Sequence, residues 1–193
     1  DLVRSRGLGD VYKRQFQKNW RMKMTPKNYL ENVVLKTWDR KGTQEQCFYG
    51  FLEEFGEITG KLKKAHRDDV PEQEKQAGLK KELGDWGWYI IHLGYLRKSI
   101  DFNQQQFKPD NLQTNKKPQQ VIMSISSKIG MMVNGMAEGN KHKERAAMRS
   151  LVNSFTDLSN SLGFTTEAIL QANTSKLFDR MARGKMHGSG DER

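Results

Sequence analysis

The sequence predicts an all-α fold, a bundle of about six helices around a central antiparallel helix hairpin. Apolar residues recur three and four positions apart through most of the chain, the spacing of a helix with one buried stripe. No segment shows the alternation of a half-buried strand. Four Pro occur, and none falls inside a strongly periodic segment.

Asp1 to Gln15 has no helical apolar period and carries two Gly and four basic residues. It resembles translated adapter sequence, so 1–15 is read as a non-native leader with Met22 or Met24 as the start. The alternative is a natural arm that binds phosphates. Residues 16–193 then form a single all-α domain, with a metal-binding half at 24–101, a polar linker at 102–118 and a second helical half at 119–193. Thr25-Pro26 is an N-cap followed by Pro at the first helical position. Tyr29, Leu30, Val33, Val34 and Trp38 carry that helix to about Arg40, and Gly42 breaks it. The next helix runs from about Gln44 to Lys64 on Phe48, Phe51, Leu52, Phe55, Ile58 and Leu62. His66 to Gln76 is charged, contains Pro71 and reads as a loop, with a third helix over roughly Glu74 to Ser99. Leu79, Leu83, Trp86, Tyr89, Ile90, Leu93 and Leu96 mark its buried stripe. Asp101 to Gln120 is rich in Gln, Asn, Lys and Pro, as a linker is. Three helices follow, near Gln119–Met136, near Lys143–Leu162, and from Thr165 to about Arg183. Thr165 is an N-cap, Glu167 suits the first turn, and Gly163 stops the preceding helix.

The two halves echo one another. Leu93-Gly94 closes the first helix pair and Leu162-Gly163 the second. Setting these glycines together places Ser154 opposite Asp85 and Leu151 opposite Glu82. Ile125–Met136 also lacks acidic residues where the first half has Glu54 and Glu57. If the halves are a degenerate repeat, only the first keeps ligands.

The formal net charge of +10 suits a polyanionic partner, nucleic acid or nucleotide phosphates. Cys47 is the single cysteine, so no internal disulfide forms. This fits a reducing cytoplasm, and the thiol reads as a small packed side chain. No apolar run is long enough to cross a membrane. His66, His92, His142 and His187 show no metal-ligand spacing, and His92 reads as a satisfied core residue. Trp86 and Trp88 read as core, and Met123, Met131, Met132 and Met136 as a helix-packing or subunit surface.

Two acidic motifs carry the chemistry: Glu53-Glu54-x-x-Glu57 and Glu82-x-x-Asp85. Residues three apart on a helix share a face, so each motif presents a pair of carboxylates one turn apart. Carboxylates ~5 Å apart repel by roughly 3 kcal/mol per pair at an effective dielectric near 20. A hairpin that gathers four of them favours a cation between them. Oxygen-only ligands suit Mg²⁺, with Mn²⁺ as an alternative. Asp85 immediately precedes Trp86 and the most apolar run of the chain, where a bare carboxylate is costly unless it is paired or metal-bound.

Gly50-Phe-Leu-Glu-Glu-Phe-Gly-Glu57, followed by Lys81-Glu-Leu-Gly-Asp-Trp-Gly-Trp-Tyr89, resembles the MazG-like all-α nucleoside triphosphate pyrophosphohydrolases, whose pattern is EExxE, a spacer, then ExxD. Ala172-Asn173-x-x-Lys176-Leu177-x-x-Arg180 and Gly188-Ser-Gly-Asp191-x-Arg193 resemble the tail of phage and bacterial members. The resemblance covers about Tyr29–Asp101 and Gly163–Arg193; the stretch between is longer than in minimal members. It implies that Glu54, Glu57, Glu82 and Asp85 are metal ligands, and that Glu53 is either a further ligand or the carboxylate that orients the attacking water. It implies nucleotide contact for Asn173 and Lys176. Arg180 would pair with phosphate or with a carboxylate, and Lys61, near the acidic helices, would add charge for phosphate. The implied reaction is NTP + H₂O → NMP + pyrophosphate with Mg²⁺. Sibling activities on dUTP, dCTP or phosphoribosyl-ATP are the close alternative. A basic helical nucleic-acid-binding protein is the more distant one, and it leaves the clustered carboxylates unexplained. Family members commonly dimerise or tetramerise, so a homo-oligomer is expected.

Overall fold

The computed structural model describes residues 23–38 and 42–185. The leader, Met22, Arg40, His187 and the tail from Gly188 lie outside the described residues, and the first helix, expected to reach about Arg40, already ends at Thr37, where Trp38 turns to extended backbone. Among the described residues there are six helices and no strand. Helix α1 is built of three consecutive pieces, α-helical Pro26–Tyr29, π-helical Leu30–Val34 and α-helical Leu35–Thr37. Then come α2 (Gln44–Arg67), α3 (Glu72–Leu96), α4 (Pro118–Ala137), α5 (Lys141–Ser161) and α6 (Thr166–Ala182).

The caps follow the sequence. Thr25 Oγ1 accepts the Asn28 N–H at 3.1 Å, and Thr165 Oγ1 accepts that of Ala168 at 3.1 Å. Thr43 and Gln46 form a reciprocal capping box at the start of α2. Gly163 ends α5 with φ +85°, a conformation glycine adopts without penalty. The loop expected over His66–Gln76 shrinks to Asp68–Pro71, because α2 runs on to Arg67 and α3 begins at Glu72. Pro71 occupies the N-cap of α3, where its missing N–H costs nothing, and Glu72 and Glu74 favour the positive end of the helix. The short connection folds α2 and α3 into an antiparallel hairpin, and the turn between α4 and α5 makes a second one.

The hairpins meet at Trp86. Its ring lies 6.1 Å from Phe51, 5.3 Å from Phe55 and 6.0 Å from Phe155, so one fully buried indole joins α2, α3 and α5. Helix α6 closes the bundle against α3 and α5, and α1 packs on α3, where Trp88 Nε1 donates to Thr37 Oγ1 at 3.0 Å. Trp86 and Trp88 are therefore core, as expected. His92 is buried but not satisfied. It packs edge-on to Trp38 and Trp88, with ring centroids 4.1 and 4.8 Å away, and neither nitrogen has a hydrogen-bond partner. Burial lowers its pKa to about 4, so the ring stays neutral and serves as an aromatic plate. Cys47 is buried, its thiol pushed up to about 12, consistent with a packed and unreactive residue. The methionine stripe divides: Met132 is fully buried, Met136 half-buried, and Met123 and Met131 exposed.

The irregular segment 97–117 is tied down at both ends. Near its start Glu144, 1 % exposed, accepts a bidentate pair from Arg97 at 3.0 and 2.9 Å, the Ser99 hydroxyl at 2.6 Å and Lys141 at 2.9 Å. Burial alone would raise the Glu144 pKa, but these donors outweigh it and hold the carboxyl at about 2. Glu144→Ala should lower the guanidinium midpoint at unchanged slope, by roughly 3 kcal/mol, since it strands the partners of a buried ion pair. The wild-type contribution is complete above the ordinary carboxyl value of 4.5 and is lost as pH falls toward about 2; the variant lacks that acid limb.

Candidate metal centre

The rotation of the first hairpin is fixed by what it buries. Phe51 and Ile58 on α2, with Leu79, Leu83 and Trp86 on α3, are fully buried. Their spacing leaves both acidic motifs flanking the seam. One carboxylate oxygen from each of Glu54, Glu82 and Asp85 lies within 4.8 Å of the others. Among the described residues these three form the group of acidic or metal-ligating side chains compact enough to share an ion. Glu57 is exposed and lies near enough to the group to help raise the Glu82 pKa. Glu53 is exposed and outside it. An open groove of about 780 Å³ lined by Leu62, His66, Lys75, Lys117 and Ile122 touches none of these carboxylates.

The site is under electrostatic stress. Burial, then the charges of Asp85, Glu57 and Glu82, push the Glu54 carboxyl from 4.5 to about 8, although Lys176 opposes the shift. Burial also leads in raising Glu82 to about 7, with Glu57 and Asp85 adding to it and Lys81 working against it. Glu82 is 1 % exposed, and its Oε1 has no hydrogen-bond partner; Lys61 Nζ at 3.6 Å and Lys81 Nζ at 4.0 Å stand beyond hydrogen-bonding range. Glu82 thus brings a buried carboxylate with one oxygen lacking a hydrogen bond to a group of three acidic side chains, a demand that a hard divalent cation would satisfy.

Helix α6 supplies the outer layer. Asn173 Nδ2 donates to Asp85 Oδ1 at 2.8 Å, and the Lys176 ammonium donates to both Asp85 oxygens. Arg180 follows one turn beyond Lys176, half-buried. The structure thus brings Asn173, Lys176 and Lys61 to the acidic group. It also adds a residue that periodicity treats as core: the buried Tyr29 hydroxyl donates to Asn173 Oδ1 at 2.5 Å and holds the amide in the orientation that serves Asp85. Tyr29 lies just before the π-helical turn, a feature that frequently re-aims side chains at functional sites.

Gly84 makes this layer possible. A Cβ at position 84 would sit 2.9 Å from the Asn173 Cβ, so only glycine lets α6 approach beside Asp85. Gly84→Ala gains about 1 kcal/mol of helix propensity but incurs roughly 1–3 kcal/mol of overpacking. The net result should be a lower Tm, whereas Gly60→Ala, with nothing within 4 Å, should raise it. Thermal melts of the two variants check the contrast.

No protein-family model matches the chain, and comparison with curated proteins and with solved structures finds no significant match. Function therefore rests on the geometry. No helix among the described residues is long and apolar enough to cross a membrane. The acidic group on the hairpin is suited to hold a metal ion.

Proposed function

We propose that this chain is a Mg²⁺-dependent nucleoside triphosphate pyrophosphohydrolase of the MazG-like kind. The observation that carries the reading is the convergence of Glu54, Glu82 and Asp85 within 4.8 Å, with Glu82 buried and its Oε1 lacking a hydrogen bond. The donor set is all oxygen, which suits Mg²⁺ or Mn²⁺ and disfavours softer ions. Glu54, Glu82 and Asp85 would hold the ion, with Glu57 beside Glu82 as the next available carboxylate. When bound, Mg²⁺ supplies charge neutralisation for the α-phosphoryl group and the leaving pyrophosphate.

The remaining work falls to side chains. Asn173, oriented by Tyr29, fixes the rotamer of Asp85. Lys176, on Asp85, would pass to a substrate phosphate, Lys61 beside Glu82 would add positive charge, and Arg180 follows one turn beyond Lys176 on α6. Glu53 stands outside the converging group, which favours the water-orienting role over the ligand role. Dimer or tetramer formation belongs to the same reading and is checked by light scattering.

The test is product analysis. Deoxynucleoside triphosphates with Mg²⁺ should yield monophosphate and pyrophosphate, and chelator should stop the reaction. Release of orthophosphate would sink the assignment. A panel including dUTP, dCTP and phosphoribosyl-ATP sorts the sibling activities.

A further inference from the structure

The second hairpin repeats the buried pattern of the first and sets a lysine where the first has a carboxylate. The buried stripe of α2, Cys47, Phe51 and Ile58, corresponds to Val121, Ile125 and Met132 of α4, each 74 positions later, and all six are buried. This correspondence sets Lys128 against Glu54. Between α3 and α5 the offset is 69: Leu79, Leu83, Trp86 and Leu93 correspond to the buried Met148, Val152, Phe155 and Leu162, and Asp85 to Ser154. The paired positions meet in both hairpins. Glu54 and Asp85 approach within 4.8 Å in the first, and in the second Lys128 Nζ donates to Ser154 Oγ at 2.5 Å.

More cations gather there. Asp157 lies one turn beyond Ser154 on α5, and its two oxygens accept Lys108 Nζ at 2.7 Å and Lys116 Nζ at 2.9 Å. Both lysines come from segment 97–117, which is clamped in place nearby. Asn160 donates to Asp110 at 2.7 Å, the Thr166 N–H donates to Asp110 at 2.9 Å, and the Asn111 N–H donates to Asn160 at 2.5 Å. The cluster therefore sets three ammoniums around a single carboxylate, two positive charges in excess. Each ammonium has three protons, and the bonds described use one from each.

We propose that Lys108, Lys116 and Lys128, arranged around Asp157 and Ser154, form a phosphate-binding site, taking inorganic pyrophosphate or the terminal phosphates of a nucleotide. Lys108 and Lys116 are 43 % and 51 % exposed, so a ligand reaches them from solvent, while Ser154 is buried and fixes Lys128 beneath. The hairpin that lacks ligands for a cation binds the anion directly. The site stands on these residues alone and does not depend on catalysis at the acidic group.

Calorimetric titration of the full chain with pyrophosphate in EDTA keeps the acidic centre metal-free. Wild-type protein should bind one pyrophosphate, more weakly as salt rises. Lys108→Gln/Lys116→Gln should weaken binding about tenfold or more, the loss of two charge-assisted contacts. Asp157→Asn should strengthen it. A parallel titration with a nucleoside triphosphate identifies the source of the phosphate: tighter binding than pyrophosphate means that a nucleotide is recognised, and equal binding means that the phosphates alone are. Amide chemical shifts should move at Ser154 and Asp157 on addition of pyrophosphate, a readout independent of any variant. No binding by wild type, an unchanged constant in the double variant, shifts confined to α2 and α3, or binding of a single-stranded oligonucleotide but not of pyrophosphate would each overturn the proposal.

Discussion

Glu54→Gln should lower pyrophosphate release by at least about 100-fold and at the same time raise the Tm of the metal-free protein by a few degrees. The loss follows from removing a ligand, which costs more than the 10–100-fold typical of outer-layer partners. The gain follows from the same geometry. Glu54 is ionised in the folded protein only against burial and the charges of Asp85, Glu57 and Glu82. Glutamine keeps the shape and removes the repulsion. One kcal/mol of relief corresponds to roughly 2–4 °C for a chain of this size. Opposite signs in activity and stability mark a position kept for function rather than for folding. Asp85→Asn should be equally inactive without the gain, because Asp85 has Lys176 and Asn173 as partners and loses them. Thermal melts in EDTA and a pyrophosphate assay in Mg²⁺ read the two halves of the prediction. A Glu54→Gln protein with normal activity would remove Glu54 from the ligand set.

The second expected result is a stability profile that runs opposite to that of an ordinary carboxylate. Glu54 titrates near 8 and Glu82 near 7 in the folded chain, against 4.5 when unfolded. Across that interval the folded state binds more protons than the unfolded one, so metal-free stability should fall as pH rises from about 5 to about 8. Divalent ions bind the ionised form. Mg²⁺ binding should therefore release protons and tighten with pH, and saturating Mg²⁺ should flatten the decline. Denaturant midpoints from pH 5 to 9, with and without Mg²⁺, and titrations in buffers of different ionisation heat measure both effects. A flat metal-free profile would mean that neither burial nor neighbouring charge raises these carboxyls.

Much of this was legible before any coordinates. The apolar period gave the helices, and the three-residue spacing inside each acidic motif gave shared faces. Placing Asp85 directly before Trp86 marked a carboxylate at the edge of the core. Pro71 misled because proline ends a helix from within but starts one from its first positions, and the sequence around it fits both. Tyr29 escaped because its hydroxyl acts on Asn173, 144 residues away, while its ring looks like any core aromatic. His92 reads as satisfied in the sequence because polarity alone predicts a partner; its two tryptophan neighbours supply packing instead. Lys128 was hidden by register. The glycine-anchored alignment fixes α3 against α5, but α2 against α4 needs an offset five residues larger, because the first hairpin is longer around its turn.

The two hairpins share a buried pattern but carry different charged groups. One hairpin gathers the carboxylates of Glu54, Glu82 and Asp85, and the other brings Lys128 to the ammoniums of Lys108 and Lys116. A bundle whose halves share a packing pattern thus has no two-fold symmetry for an approaching charge. Raising the ionic strength would shorten the reach of both groups and leave the packing that separates them untouched.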